Sequence, residues 1–173
     1  MVLGLVSTGN AIAYPQNSLY NVPLTFHDDK NQSVSLDSFK DKTVILAMIY
    51  TSCRSVCTLM VQKLKKIMEG VHDASKNAEV VIVSLDPAND TPAVLAKFRE
   101  REQLPKGTWH LLTGKESDVR TLANLIGYSY QKNADTGDIL HSNKITLLEK
   151  EGVIVTTLEG LNEPEAPFIN AIE

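Results

Sequence analysis

The chain carries two cysteines, Cys53 and Cys57, in the stretch Tyr50-Thr51-Ser52-Cys53-Arg54-Ser55-Val56-Cys57. Residues at this spacing on a helix share a face, with Cα atoms about 6 Å apart, which suits a disulfide and suits two thiolates on one ion equally well. Disulfide chemistry and metal ligation are both open. The pair sits where a continuous apolar run gives way to an amphipathic one, at a helix start. The unpaired N–H groups and partial positive charge of a helix N-terminus, with Arg54 alongside, are expected to make at least one thiol ionise more readily than a free cysteine. Inert buried cysteines are common in cores. Packing alone, however, gives no reason to place both thiols together at the C-terminal end of a strand, where α/β folds build their sites.

Two thiolates alone make a poor closed metal site, so a further ligand has to come from elsewhere among four histidines. His27 lies in His27-Asp28-Asp29-Lys30, which reads as an exposed turn. His72 closes the long helix, where a cation suits the dipole. His110, in Thr108-Trp109-His110-Leu111, reads as a hydrogen-bonded structural histidine on a strand. His141 differs, because it opens the run Ser142-Asn143-Lys144-Ile145-Thr146-Leu147-Leu148 at the edge of a strand.

The elements that must position these groups follow from periodicity. Thr43 to Tyr50 is continuously apolar and β-prone, as is Val80 to Leu85, and both read as strands covered on two faces. Between them Val56, Leu59, Met60, Leu64, Ile67, Met68 and Val71 recur at helical steps, giving one buried stripe and, with the strands, a parallel βαβ unit. Thr91 and Pro92 mark the cap and first position of a helix running to about Gln103. Thr108 to Leu112 reads as a strand and Glu116 to Ile126 as a helix. Ile139 to Leu148 with Val153 to Leu158 reads as a hairpin turning at Glu151-Gly152, and Glu163 to Ile172 as a last helix. This order predicts an α/β protein with a thioredoxin-like fold: a central mixed sheet flanked by helices, with Pro23 to Phe39 as an N-terminal extension. In that sheet the strand opened by His141 starts beside the N-terminus of the first helix.

With 173 residues, 43% of them hydrophobic and 22% charged, the chain fits one globular domain with a sizeable core. We place that domain at 18–173. The net charge of −4 and the absence of a long basic run argue against nucleic acid as a partner. No apolar run approaches the ~20 residues of a membrane span. Residues 1–17 read as the remnant of a signal peptide or a flexible tail, since the apolar Val2 to Val6 is followed by Ala11-Ile12-Ala13, an Ala-x-Ala site. Export to the periplasm or the outer face of the cytoplasmic membrane is the compartment this implies, and there two cysteines can pair.

Four stretches resemble the Sco/SenC family of copper-binding, thioredoxin-fold proteins that help assemble the dinuclear copper centre of cytochrome c oxidase. They are Tyr50 to Cys57, Leu85-Asp86-Pro87-Ala88-Asn89-Asp90-Thr91-Pro92, Gly107 to Gly114, and Leu140-His141-Ser142; the likeness runs from about Ser18 to Leu158. The resemblance implies that Cys53, Cys57 and His141 bind copper, as Cu(I) and Cu(II). The Asp86 to Thr91 stretch is read as a turn and helix cap. The chain departs from the family pattern in carrying Arg54 and Thr58 where proline usually follows each cysteine. It also carries Leu140 where an aspartate commonly precedes the histidine, which removes an acidic hydrogen-bond partner for the imidazole.

The function expected from the resemblance is that of a copper metallochaperone and not of a classical enzyme, since thiolates favour Cu(I) and imidazole suits either oxidation state. Its partners would be the copper-centre subunit of cytochrome c oxidase or another copper protein, with a periplasmic copper carrier or a thioredoxin-like reductant upstream. The rival is a thiol-disulfide reductase that keeps a partner's copper-ligand cysteines reduced, with Cys53 and Cys57 as its catalytic residues. Thioredoxin itself is less similar, having Cys-x-x-Cys. A peroxiredoxin would need Pro and Thr where Leu46 and Tyr50 precede Cys53, or where Tyr50 and Arg54 precede Cys57. Zinc would call for a fourth protein ligand or a catalytic water.

Overall fold

The computed structural model describes residues 14–53, 56–72, 77–133, 135, 136 and 138–172. The sequence features at 1–13, including the Ala-x-Ala site, and the side chain of Arg54 lie outside the described residues.

The centre of the molecule is the predicted parallel unit. Strand β3 (Thr43–Ile49) pairs in parallel with β4 (Ala78–Ser84), and β4 with β5 (Trp109–Gly114). Six of the seven residues in each of β3 and β4 are buried, which is why these runs are apolar without alternation. The predicted N-terminal extension is β1 (Thr25–Asp28) and β2 (Ser33–Ser35), which prolong the sheet antiparallel beyond β5. On the opposite side β8 (Lys144–Leu148) lies antiparallel to β3, and β9 (Ile154–Glu159) antiparallel to β8. The mixed seven-stranded sheet has the order β2-β1-β5-β4-β3-β8-β9, the thioredoxin-like arrangement expected.

Helix α1 (Val56–Gly70) turns Met60, Val61, Leu64 and Ile67 inward and packs with α4 (Ala166–Ile172). Helix α2 (Pro92–Glu102) starts as predicted: Thr91 Oγ1 accepts the Val94 N–H at 3.4 Å, and Pro92 spends no hydrogen bond at the first position. With α3 (Glu116–Leu125) it packs on β5. The turn at Glu151-Gly152 is real, and its backbone has to be glycine. Gly152 has φ of +77°, and a Cβ there would stand 2.6 Å from the Tyr20 ring.

Three expectations need correction. Ile139 to Leu148 is not one strand. Ile139–His141 forms β7, which leaves the main sheet to pair with β6 (Tyr130–Lys132), and the chain joins β3 only from Lys144. The polar run His141-Ser142-Asn143-Lys144 marks the break, between the apolar Ile139-Leu140 and Ile145. His27 is exposed as expected but lies on β1, opposite Ser33 and Thr113, and not in a turn. The last helix begins at Ala166 and not at Glu163. Instead, the buried Lys63 of α1 binds the carbonyls of Leu161 and Glu163, which holds that stretch as a loop.

Candidate metal centre

Strand β3 ends at Ile49, and the chain turns through Thr51 and Ser52 to Cys53, whose N–H donates to Tyr50 O at 3.3 Å. The second residue of α1 is Cys57, and its N–H is one of the donors a helix start leaves unpaired. Cys53 Sγ accepts that N–H at 3.4 Å, so one cysteine caps the helix that carries the other. Cys53 is half-buried. Cys57 is 1% exposed, set into the core.

The turn is held from the neighbouring loop. Asp90, 2% exposed, accepts the Thr51 N–H on Oδ2 at 3.0 Å and the Thr51 hydroxyl on Oδ1, and Oδ2 also receives the Ser84 hydroxyl. Asp86 binds Asn89 Nδ2 at 2.7 Å and Lys132 Nζ at 2.8 Å, which ties the same loop to β6. The Asp86 to Thr91 stretch thus forms the expected turn and helix cap and also braces the cysteine turn.

His141 arrives from β7. Its Nε2 lies 3.8 Å from Cys57 Sγ, and ligand atoms of Cys53, Cys57 and His141 all lie within 4.8 Å of one another. Among the described residues this is the one cluster of three or more His, Cys, Asp or Glu groups able to hold a metal ion. The other histidines are elsewhere: His110 Nε2 stands 2.8 Å from Glu79 Oε2 with its ring edge-on to Phe39, and His72 follows the end of α1 on the surface.

Two tyrosines that the sequence reading passed over enclose the imidazole. Tyr50 meets it edge-on at 5.8 Å and Tyr128 lies almost parallel to it at 6.2 Å. Tyr128 Oη is 2.9 Å from His141 Nδ1 and 3.0 Å from Met48 O. Burial, with the nearby Cys57 and Cys53, pushes the Tyr128 phenol above its usual range, so it keeps its proton. Gly127-Tyr128-Ser129 precedes a strand too short and polar to be seen, and only the chain's return at β7 brings Tyr128 to the histidine. An opening of about 400 Å³ lined by Thr51, Ser52, Cys53, Thr58 and Arg101 gives access to the Cys53 side. A larger cleft of about 550 Å³ beside Asp86, Arg120 and Lys132 holds neither thiol nor imidazole.

The expectation that a thiol here ionises readily fails for Cys57. Burial pushes its thiol up, and the nearby Cys53 and Asp90 push the same way, outweighing the hydrogen bond from the backbone at Tyr50. The metal-free reduced protein should therefore react with iodoacetamide at Cys53 first, which peptide mapping at early times will read; equal early labelling of Cys57 would contradict the geometry.

A family model described as SCO1/SenC matches residues 13–173. The SCO1 protein homolog of Bacillus subtilis is 26% identical over 169 residues, covering 95% of this chain and 86% of that protein. Among solved structures, a SCO1/SenC family lipoprotein from Bacillus anthracis superposes with a TM-score of 0.80 at 22% identity, covering 94% of this chain and 97% of that one. Arabidopsis thaliana ScoI, solved with copper bound, gives 0.76 at 20% identity over 87% and 94%. At these identities the two superpositions speak for the fold.

Proposed function

The chain belongs to the SCO1/SenC family, and we propose that it is a copper metallochaperone which carries one copper ion on Cys53, Cys57 and His141 and helps deliver it to the dinuclear copper centre of cytochrome c oxidase. The observation that carries this reading is the convergence of two sulfurs and an imidazole nitrogen within 4.8 Å. The donor set fits the cargo. Thiolates are soft ligands suited to Cu(I), and imidazole suits both oxidation states. With metal–ligand bonds of about 2.0 to 2.3 Å, the donors of a three-coordinate site stand roughly 3.5 to 4 Å apart, and Cys57 Sγ and His141 Nε2 are separated by 3.8 Å. Cys57 is the buried anchor, Cys53 stands at the opening, and His141 comes in on a hairpin separate from the helix.

In this reading residues 18–173 are the working domain and 1–17 a leader remnant or tail. The protein acts in the periplasm or on the outer face of the cytoplasmic membrane, in keeping with the lipoprotein relative. Its partners are the oxidase copper-centre subunit or another copper protein, with a copper carrier or thioredoxin-like reductant upstream. One observation favours a second reading, a thiol-disulfide reductase: both cysteines are in the thiol form and their sulfurs are close enough to pair after a small movement.

His141→Ala separates the two. It removes a ligand and leaves both thiols, so Cu(I) affinity is expected to fall about 10-fold and Cu(II) affinity about 100-fold or more, while disulfide exchange with a model substrate is retained. Unchanged copper affinities with collapsed exchange would make His141 a base in thiol chemistry and put the reductase in place of the chaperone.

A further inference from the structure

We infer that Tyr128 is the residue that anchors the imidazole of His141 to the central sheet, with the ring hydrogen on Nδ1 and Nε2 left bare toward the two thiols. The importance of this for metal capture rests on the copper reading, but the hydrogen-bond argument does not. His141 Nδ1 stands 2.7 Å from Ser142 O and 2.9 Å from Tyr128 Oη. A carbonyl oxygen can only accept, so the hydrogen is on Nδ1. The Tyr128 hydroxyl has one hydrogen to give and lies 3.0 Å from Met48 O, again an acceptor only, so Oη faces the imidazole as an acceptor. The one Nδ1–H is shared between Ser142 O and Tyr128 Oη, and the Tyr128 hydroxyl hydrogen goes on to Met48 O. The opposite ring nitrogen is left with a free lone pair, and it is the one 3.8 Å from Cys57 Sγ.

Ser142 and Tyr128 do different work. Ser142 follows His141 in the chain and moves with it, so its carbonyl cannot hold the ring in place relative to the thiols. Tyr128, 3% exposed, reaches back to β3, the strand whose end leads into the cysteine turn. It therefore ties the imidazole on the β6–β7 hairpin to the body that carries Cys53 and Cys57. An acidic partner beside a ligating histidine sets tautomer and ring orientation. Here Leu140 occupies the preceding position and is 79% exposed, and a buried phenol orients the ring while the Ser142 carbonyl sets the tautomer. Tyr128 is a positioning residue, and it acts through the imidazole.

The test is a long-range ¹H–¹⁵N correlation spectrum of the imidazoles in the metal-free, reduced protein, recorded for wild type and for Tyr128→Phe. In wild type His141 is expected as Nδ1–H with an unprotonated Nε2. In Tyr128→Phe the Ser142 carbonyl keeps the hydrogen on Nδ1, but the His141 ring signals should shift, and Cu(II) affinity should fall about 10-fold with Cu(I) affinity less affected. An Nε2–H tautomer in wild type, or identical His141 signals in the two proteins, would overturn the inference. The wild-type spectrum alone can overturn the inference even if the variant does not fold. Since no metal is present, the predicted tautomer in a protein that takes up no copper would leave this inference standing while removing the copper reading.

Discussion

Cys57→Ser is expected to lower Cu(I) affinity by about 10³-fold or more while the protein stays folded. The substitution replaces a soft sulfur by a hard hydroxyl at the one ligand position sunk in the core, 1% exposed, where water cannot readily stand in for the lost donor. Serine has nearly the volume of cysteine, and at the start of α1 its hydroxyl can bond to nearby backbone, so the folding cost should stay near 1 to 2 kcal/mol. Competition against a Cu(I) chelator, alongside an unfolding curve, makes the measurement. Retention of copper within about tenfold of wild type would show that the buried sulfur is not a ligand.

The second large effect is expected at a residue outside the candidate ligand set. Asp90→Ala should cost about 3 to 5 kcal/mol of stability, because it strips the acceptor from the Thr51 N–H, the Thr51 hydroxyl and the Ser84 hydroxyl at once. Each buried donor left unpaired costs roughly 1 to 3 kcal/mol, and the losses share one carboxylate, so they should not add fully. The consequence reaches the thiols. Thr51 lies in the turn that delivers Cys53, and with that turn released Cys53 should alkylate faster and copper should be held less tightly. Asp90→Asn, which keeps one carboxamide oxygen as an acceptor, should fall between. A loss below 1 kcal/mol in urea unfolding would mean that the turn holds itself.

The parts of this molecule that were legible in the sequence are those whose physics is local. The doubly buried β3 and β4 announce themselves as unbroken apolar runs, α1 by its stripe, and α2 by Thr91 and Pro92. The Cys53 and Cys57 pair was legible too, since its spacing and its place at a helix start are sequence properties. What was hidden depends on the return of the chain. The three-residue strands β6 and β7 are too short and, in Gln131 and Lys132, too polar to show a period, yet they bring His141 to the thiols and Tyr128 to His141. The depth of Cys57 was hidden for a related reason. A helix N-terminus and a nearby cation argue for an acidic thiol, but the burial of Cys57 is a tertiary fact, and its desolvation outweighs the hydrogen bond from the backbone at Tyr50 that pulls the other way.

The account stands on Cys53, Cys57 and His141 acting together on one ion, and X-ray absorption of the reduced protein loaded with Cu(I) tests that most directly. The predicted spectrum is that of three-coordinate copper, one ion per chain, with two sulfur neighbours and one nitrogen neighbour that vanishes in His141→Ala. A first shell without sulfur, or no copper retained at micromolar concentration, would contradict it.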